Sequence, residues 1–326
     1  MTILITGAAG FIGFHTALAL LDGGQSVLGV DNLNDYYDVS LKRARLDVLS
    51  GRDGFSFAEA DIADAGVIDP LIAEHKDITK VIHLAAQAGV RYSLENPQAY
   101  VRANVQGQMV LMEACRRLES LEHFVYASSS SVYGANTKLP FAVDDRTDTP
   151  LSLYAATKKS GEMLAHSYAH VYALPLTGLR FFTVYGPWGR PDMAAFIFIR
   201  KILAGEPIPV FNEGDMRRDF TYIDDIVAGV LACAERPPKS VDGAPPAAIY
   251  NLGNNRSEPL MRFISILEDA LGKKAVVDLL PMQTGDVKET FADITAAQGD
   301  LGFDPKTTID EGLPKLVTWY REYYGV

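Results

Sequence analysis

Apolar and polar positions alternate along the first half of the chain with two different periods. Short apolar runs of strand length occur at 2–6, 26–30, 55–58, 80–84, 122–128 and 176–181, and helix-length segments at 11–23, 64–74, 98–118 and 152–173 fall between them. Strands separated by helices predict βαβ units and a parallel sheet covered on both faces, a doubly wound α/β fold. Past residue 182 the pattern loosens. It predicts a helix at 192–204, a strand at 208–211, a helix at 224–235 and a strand at 248–252 that rejoins the main sheet. Helices at 258–271 and 309–324 and a strand at 276–280 complete a smaller α/β part capping the carboxyl edge of the sheet, with a surface loop over 236–247.

Composition narrows the function classes. A chain of 326 residues with 48% hydrophobic and 22% charged content has the balance of a soluble protein of one or two domains. No apolar run approaches eighteen residues, so no membrane partner is expected, and the start of the chain reads as a strand rather than a secretory leader. Cys115 and Cys233 stand far apart without a Cys/His cluster, so no metal is expected and a reducing cytoplasm fits. The net charge of -11 argues against a nucleic-acid surface but leaves room for an anionic small molecule held by a few arginines.

The most informative local feature follows the first strand: Thr6-Gly7-Ala8-Ala9-Gly10-Phe11-Ile12-Gly13. A strand that breaks in glycines and enters a helix offers unpaired N–H groups and a positive dipole end to a phosphate. Gly7 permits the tight turn, Gly10 the approach of a pyrophosphate, and Gly13 close packing of helix on strand. Asp31, at the end of the second strand, stands where a carboxylate holds an adenosine ribose through its hydroxyls, which favours NAD over its 2′-phosphorylated form. Residues 1–182 and 223–253 are therefore expected to form a Rossmann NAD-binding domain, and 183–222 and 254–326 the substrate domain. Lys42, Arg43 and Arg45 fit either contact with the adenosine end or a solvated helix face.

Three further groups could carry chemistry. Tyr154 and Lys158 lie four residues apart on one helix face, so a phenol and an ammonium can reach one small molecule, and the ammonium is expected to lower the phenol's pKa. Ser128, Ser129, Ser130 and Ser131 close the fifth strand, at the edge where active residues of such sheets gather. Arg91, Arg190 and Arg218 occupy turn-rich segments beside the predicted cleft and suit phosphate or carboxylate oxygens.

With glycine turn, Asp31, serine run and Tyr154/Lys158 in this order, the chain resembles the extended short-chain dehydrogenase/reductase family over essentially its whole length. Within it the chain is most similar to the NAD-dependent nucleotide-sugar epimerases acting on UDP-glucuronate. The segments that carry this are Asp31-Asn32-Leu33-Asn34-Asp35-Tyr36-Tyr37-Asp38, Ala85 to Ser93, Arg180 to Met193 and Met216 to Asp225. The resemblance implies that Tyr154 is the base, that Lys158 holds the nicotinamide ribose, and that Ser129, or failing it Ser128, links Tyr154 to the sugar. It further implies cofactor contacts from Gly7, Gly10, Phe11, Ile12, Gly13, Asp31 and Asn32, and adenine contacts from Asp61 and Ile62. Arg190 and Arg218 would meet the UDP phosphates, and Arg91, Ser130, Ser131 and Thr183 the sugar carboxylate. Related decarboxylases and dehydratases carry acidic residues before Val-Tyr-Gly, where this chain has Ser130 and Ser131 ahead of Val132-Tyr133-Gly134. A homodimer through the helices at 98–118 and 152–173, with apolar faces including Val110, Leu111, Met163 and Leu164, is also implied. Other UDP- or dTDP-linked sugars, and a non-catalytic NAD-binding sensor, stay open as alternatives.

Overall fold

A computed structural model describes residues 1–282 and 287–326. Its strands are β1 (Thr2–Thr6), β2 (Ser26–Asp31), β3 (Phe55–Glu59), β4 (Ile78–His83), β5 (His123–Ser129) and β6 (Leu176–Phe181), followed by β7 (Thr183–Tyr185) and β8 (Pro207–Phe211). The remainder are β9 (Arg217–Tyr222), β10 (Ala247–Leu252), β11 (Ser257–Pro259) and β12 (Val276–Leu280). Seven of them form one sheet in the order β10-β6-β5-β4-β1-β2-β3. Every pairing in it is parallel. β6 is buried along its whole length, as expected of a strand covered by helices on both faces.

Register brings the carboxyl ends together. Thr6 of β1 lies opposite Val30 and His83, and Ser129 of β5 lies opposite Phe181. The C-terminal part adds a three-stranded sheet, β11-β9-β7, and a two-stranded one, β12-β8. The three-residue strands β7 and β11 are too short to leave a periodic signal in the sequence.

Three expectations need correction. A helix at Val39–Ser50 is absent from the sequence reading. Its apolar stripe of Leu41, Leu46 and Leu49 is diluted by Lys42 and Arg45, which point inward, so the solvated-face reading holds only for Arg43. The helix expected at 98–118 contains a π-helical stretch at Val101–Gly107. There Asn104 turns inward, accepting from the Gln87 N–H at 2.8 Å and donating to the Thr157 hydroxyl at 3.0 Å. Finally, Val110 and Leu111 lie inside this chain's own core rather than on an outer face, whereas Met109, Met163, Val171 and Tyr172 remain exposed.

Candidate active site

The glycine turn is built around close backbone contacts. Gly7 has φ +75°, and a Cβ there would stand 2.7 Å from the Ala85 nitrogen. A Cβ on Gly13 would stand 2.0 Å from the Gly7 carbonyl oxygen, so the helix can approach the strand only without one. Gly10 is the N-cap of helix Phe11–Asp22. The N–H groups of Phe11, Ile12 and Gly13 therefore have no carbonyl within their own helix and line the mouth of the turn. Asp31 accepts from the Ala9 N–H at 3.2 Å and the Leu33 N–H at 2.9 Å, which ties its carboxylate to the turn. Burial raises its pKa, with Lys42 acting against that shift. Asn32 is exposed and accepts from the Asn34 N–H. Asp61 accepts from the Ala63 N–H at 2.9 Å and pairs with Arg102, while Ile62 is buried against Gly107. Donors in a cleared backbone mouth, with a carboxylate one strand away, fit a dinucleotide.

Beside this mouth stands the tyrosine. Ser152 caps helix Leu153–Tyr172 by accepting from the Ala155 N–H at 3.1 Å, which sets Tyr154 in the first turn. Lys158 is buried, and desolvation lowers its pKa to about 8 against the opposing pull of Glu162. Burial raises the Tyr154 phenol, while a hydrogen bond from Ser129 and the charge of Arg190 draw it back down. The downward pull on this phenol comes from Ser129 and Arg190, while burial, helped by Lys158, lowers the pKa of His83.

Ser128 and Ser129 serve different partners. Neighbouring residues in a strand point to opposite faces, and Ser128 donates to Glu162 at 2.7 Å while Ser129 faces Tyr154. Glu162 is in turn held by the Arg180 Nε at 2.8 Å in a buried ion pair. The sequence reading missed Asn104, Glu162 and Arg180, because their part in the site lies in contacts 17 to 53 residues away in sequence.

Directly after Ser129, Ser130 and Ser131 open a 3-10 turn that Ser129 caps. Neither of their hydroxyls, nor that of Thr183 at the start of β7, has a hydrogen-bond partner among the described residues, and all three residues are half-buried. Arg190 is paired with Asp192, its Nε donating at 3.0 Å, and Asp192 also accepts from the Tyr36 hydroxyl at 3.1 Å. A small, largely apolar cavity lies beside Arg190, lined by Phe11, Thr183, Gly186, Met193 and Phe196. Arg218, on β9, donates to the Lys288 carbonyl at 2.9 Å. Arg91 is exposed, with its guanidinium 5.0 Å over the Phe211 ring. Among the described residues no cluster of metal-ligating side chains occurs, and no helix is long and apolar enough to cross a membrane.

Known proteins share this fold. The chain is 51% identical over 334 residues to UDP-glucuronate 4-epimerase 3 of Arabidopsis thaliana, covering 99% of this chain and 77% of that protein. It superposes on the UDP-glucuronic acid 4-epimerase of Bacillus cereus, solved with UDP-glucuronic acid and NAD, with a TM-score of 0.91 at 36% identity, covering 99% of this chain and 100% of the other. The UDP-glucose 4-epimerase of Thermotoga maritima, solved with UDP-glucose, matches at a TM-score of 0.87 and 31% identity over 99% and 100% of the two chains. Residues 3–253 match the NAD dependent epimerase/dehydratase family, and with glycine turn, Asp31, Ser129, Tyr154 and Lys158 gathered at one sheet edge the chain belongs to that family.

Proposed function

We propose that this protein is an NAD-dependent UDP-glucuronate 4-epimerase, interconverting UDP-glucuronate and UDP-galacturonate through a 4-keto sugar. The observation that carries this reading is a half-buried Tyr154, hydrogen-bonded to Ser129, with unengaged serine hydroxyls and no carboxylate at the next two positions, 130 and 131. Relatives about 50% identical over the whole chain bear the same activity in their names.

Bound NAD would take up and return the hydride at the sugar C4, so no net oxidation occurs. The N–H groups at 11–13, Asp31 and Asn32, with Asp61 and Ile62 at the adenine end, hold the dinucleotide, and Lys158 reaches its ribose. Tyr154 takes the C4 hydroxyl proton, Ser129 bridges phenol and sugar, and the same pair gives the proton back after inversion. Arg190 and Arg218 clamp the diphosphate while the ring turns about it. Residues 183–222 and 254–326 supply this nucleotide-sugar side, and 1–182 and 223–253 the cofactor side.

The keto intermediate of a uronic acid is a β-keto acid, prone to lose CO₂. Ser130, Ser131 and Thr183 hold the carboxylate through neutral hydroxyls, Arg91 adds a guanidinium at the rim, and none of them is a carboxylic acid that could assist its loss. The exposed Met109, Met163, Val171 and Tyr172 on two neighbouring helices support a homodimer, and two free, buried cysteines fit a cytoplasmic protein.

Proton NMR of the purified protein with UDP-glucuronate tests the reading. A changed H4 coupling marks UDP-galacturonate, whereas a UDP-xylose signal or no conversion, with another UDP- or dTDP-sugar turned over instead, replaces it. Tyr154→Phe should cut conversion by about 10³-fold while NAD stays bound; near-normal turnover would remove Tyr154 from its role as base.

A further inference from the structure

Arg45 is fully buried and makes no ion pair among the described residues. Taking an unpaired cation out of water is costly, and such a charge persists only where several dipoles surround it. Its surroundings are specific. One terminal nitrogen donates to the Ala9 carbonyl at 2.8 Å and the Tyr37 hydroxyl at 2.9 Å. The other donates to the carbonyls of Trp188 at 2.6 Å and Gly189 at 3.0 Å, and the Nε has no partner.

Two of these carbonyls begin peptide planes that matter. The Ala9 carbonyl belongs to the peptide that carries the Gly10 N–H, at the helix entry of the glycine turn. The Gly189 carbonyl belongs to the peptide that carries the Arg190 N–H. A peptide unit is planar, so gripping the oxygen fixes the direction of the plane and of the residue that leaves it. One guanidinium fork therefore sets both the mouth that faces the dinucleotide and the root of the arginine that draws down the Tyr154 phenol.

The second turn is tied to the glycine-turn helix in other ways as well. The His15 Nε2 lies 2.9 Å from the Pro187 carbonyl oxygen, and the Phe14 and Trp188 rings pack at 5.3 Å. Trp188 is held at φ +58°, and a Cβ on Gly189 would stand 2.7 Å from the Phe196 ring. The turn is thus packed too closely on both sides to move independently of its anchors.

We infer that Arg45 is a positioning residue that couples the two ligand sites: closing the dinucleotide mouth presets Arg190 for the nucleotide-sugar diphosphate, and the diphosphate in turn holds the dinucleotide. This rests on the function proposed above. Coupling of binding free energies is reciprocal, so it can be read from either ligand.

The experiment measures the release rate of NAD from the holoenzyme, trapped by a coupled dehydrogenase, with and without saturating UDP. UDP should slow release from the unaltered protein at least about fivefold, and Arg45→Lys should bring that ratio close to one. A merely structural Arg45 would speed release equally with and without UDP and leave the ratio intact, which overturns the inference, as does an unaltered protein insensitive to UDP. Should Arg45→Lys fail to fold, His15→Leu removes the parallel tie to Pro187 without stranding a charge. It should then lower the ratio part of the way, and an unchanged ratio there overturns the inference too. If the unaltered protein retains no NAD and binds no UDP, the proposed function itself fails, a result distinct from lost coupling.

Discussion

The cofactor edge and the cap that faces it reach the same cleft by opposite means. Around the glycine turn the functional atoms are backbone N–H groups, and what matters is the absence of side chains: Gly7 and Gly13 each leave a space that a single methyl would overfill. Across the cleft the functional atoms are guanidinium groups: Arg190 pairs with Asp192 two residues on, whose carboxylate also accepts from the distant Tyr36 hydroxyl, and Arg218 donates to the carbonyl of the distant Lys288. The first region is built mainly on one run of neighbouring residues, while the second adds to a local turn the contacts of segments 70 and 156 residues away in sequence.

The largest expected effect lies in the first region. Gly13→Ala should abolish NAD retention and with it all turnover, because the new methyl meets the Gly7 carbonyl, a backbone atom that cannot step aside. The absorbance of the purified variant at 260 nm against 280 nm checks this. The same change at Gly299, which has open space around it, should leave bound NAD unaltered. A Gly13→Ala protein that still carries NAD would show that spacing at the turn is less demanding than the geometry states.

Next come the two serines at the end of β5. Ser129→Ala should slow epimerisation by about 10²-fold, with melting temperature nearly unchanged. Ser128→Ala should do the reverse, leaving Glu162 one donor short at a cost of about 1–3 kcal/mol while turnover stays close to normal. Equal effects on activity would erase the distinction between the two faces of the strand.

On the cap side, Arg218→Gln should raise KM for the UDP-sugar by roughly tenfold, an energy typical of one charge-assisted bond, and leave NAD retention intact. Loss of NAD from that variant with no UDP-sugar present would mean that Arg218 supports the cofactor edge directly.

The smallest effect is on stability against pH. Burial lowers the pKa of His83 to about 3 and those of His15 and His123 to about 4. Their folded values lie below the unfolded one near 6.5, so as pH falls through 6.5 the unfolded chain takes up protons first and the fold loses stability. Asp219, raised to about 6 by burial, acts in the opposite sense between its unfolded value and 6, as do the raised Asp31 and Asp224. The lowered carboxylates of Glu162 and Asp192 act with the histidines. The melting temperature should therefore fall from pH 6.5 to pH 4, with a shallower slope in His83→Gln. A flat profile would mean that these rings are hydrated enough to charge without unfolding.

Much of the chemistry is legible in order and spacing. The glycine turn, Asp31 at a strand end, and Tyr154 with Lys158 one helical turn on are local patterns, and the structure brings them to one sheet edge. Helix Val39–Ser50 is not legible that way, since inward-facing Lys42 and Arg45 look like a solvated face until the carbonyls that receive them are known. The same holds for the expected dimer face: Val110 and Met163 look equally apolar in the sequence, yet one is in the core and the other outside.

What the sequence by itself determined is the alternation of strands and helices and the placing of glycines, serines and the Tyr154/Lys158 pair at strand ends, because these follow from backbone geometry over a few residues. Only the tertiary structure decided which serine faces Tyr154, which cation tunes it, and that Arg45 spans two turns. Those outcomes depend on where burial and hydrogen-bond partners from distant segments meet, and such contacts leave no periodic trace along the chain.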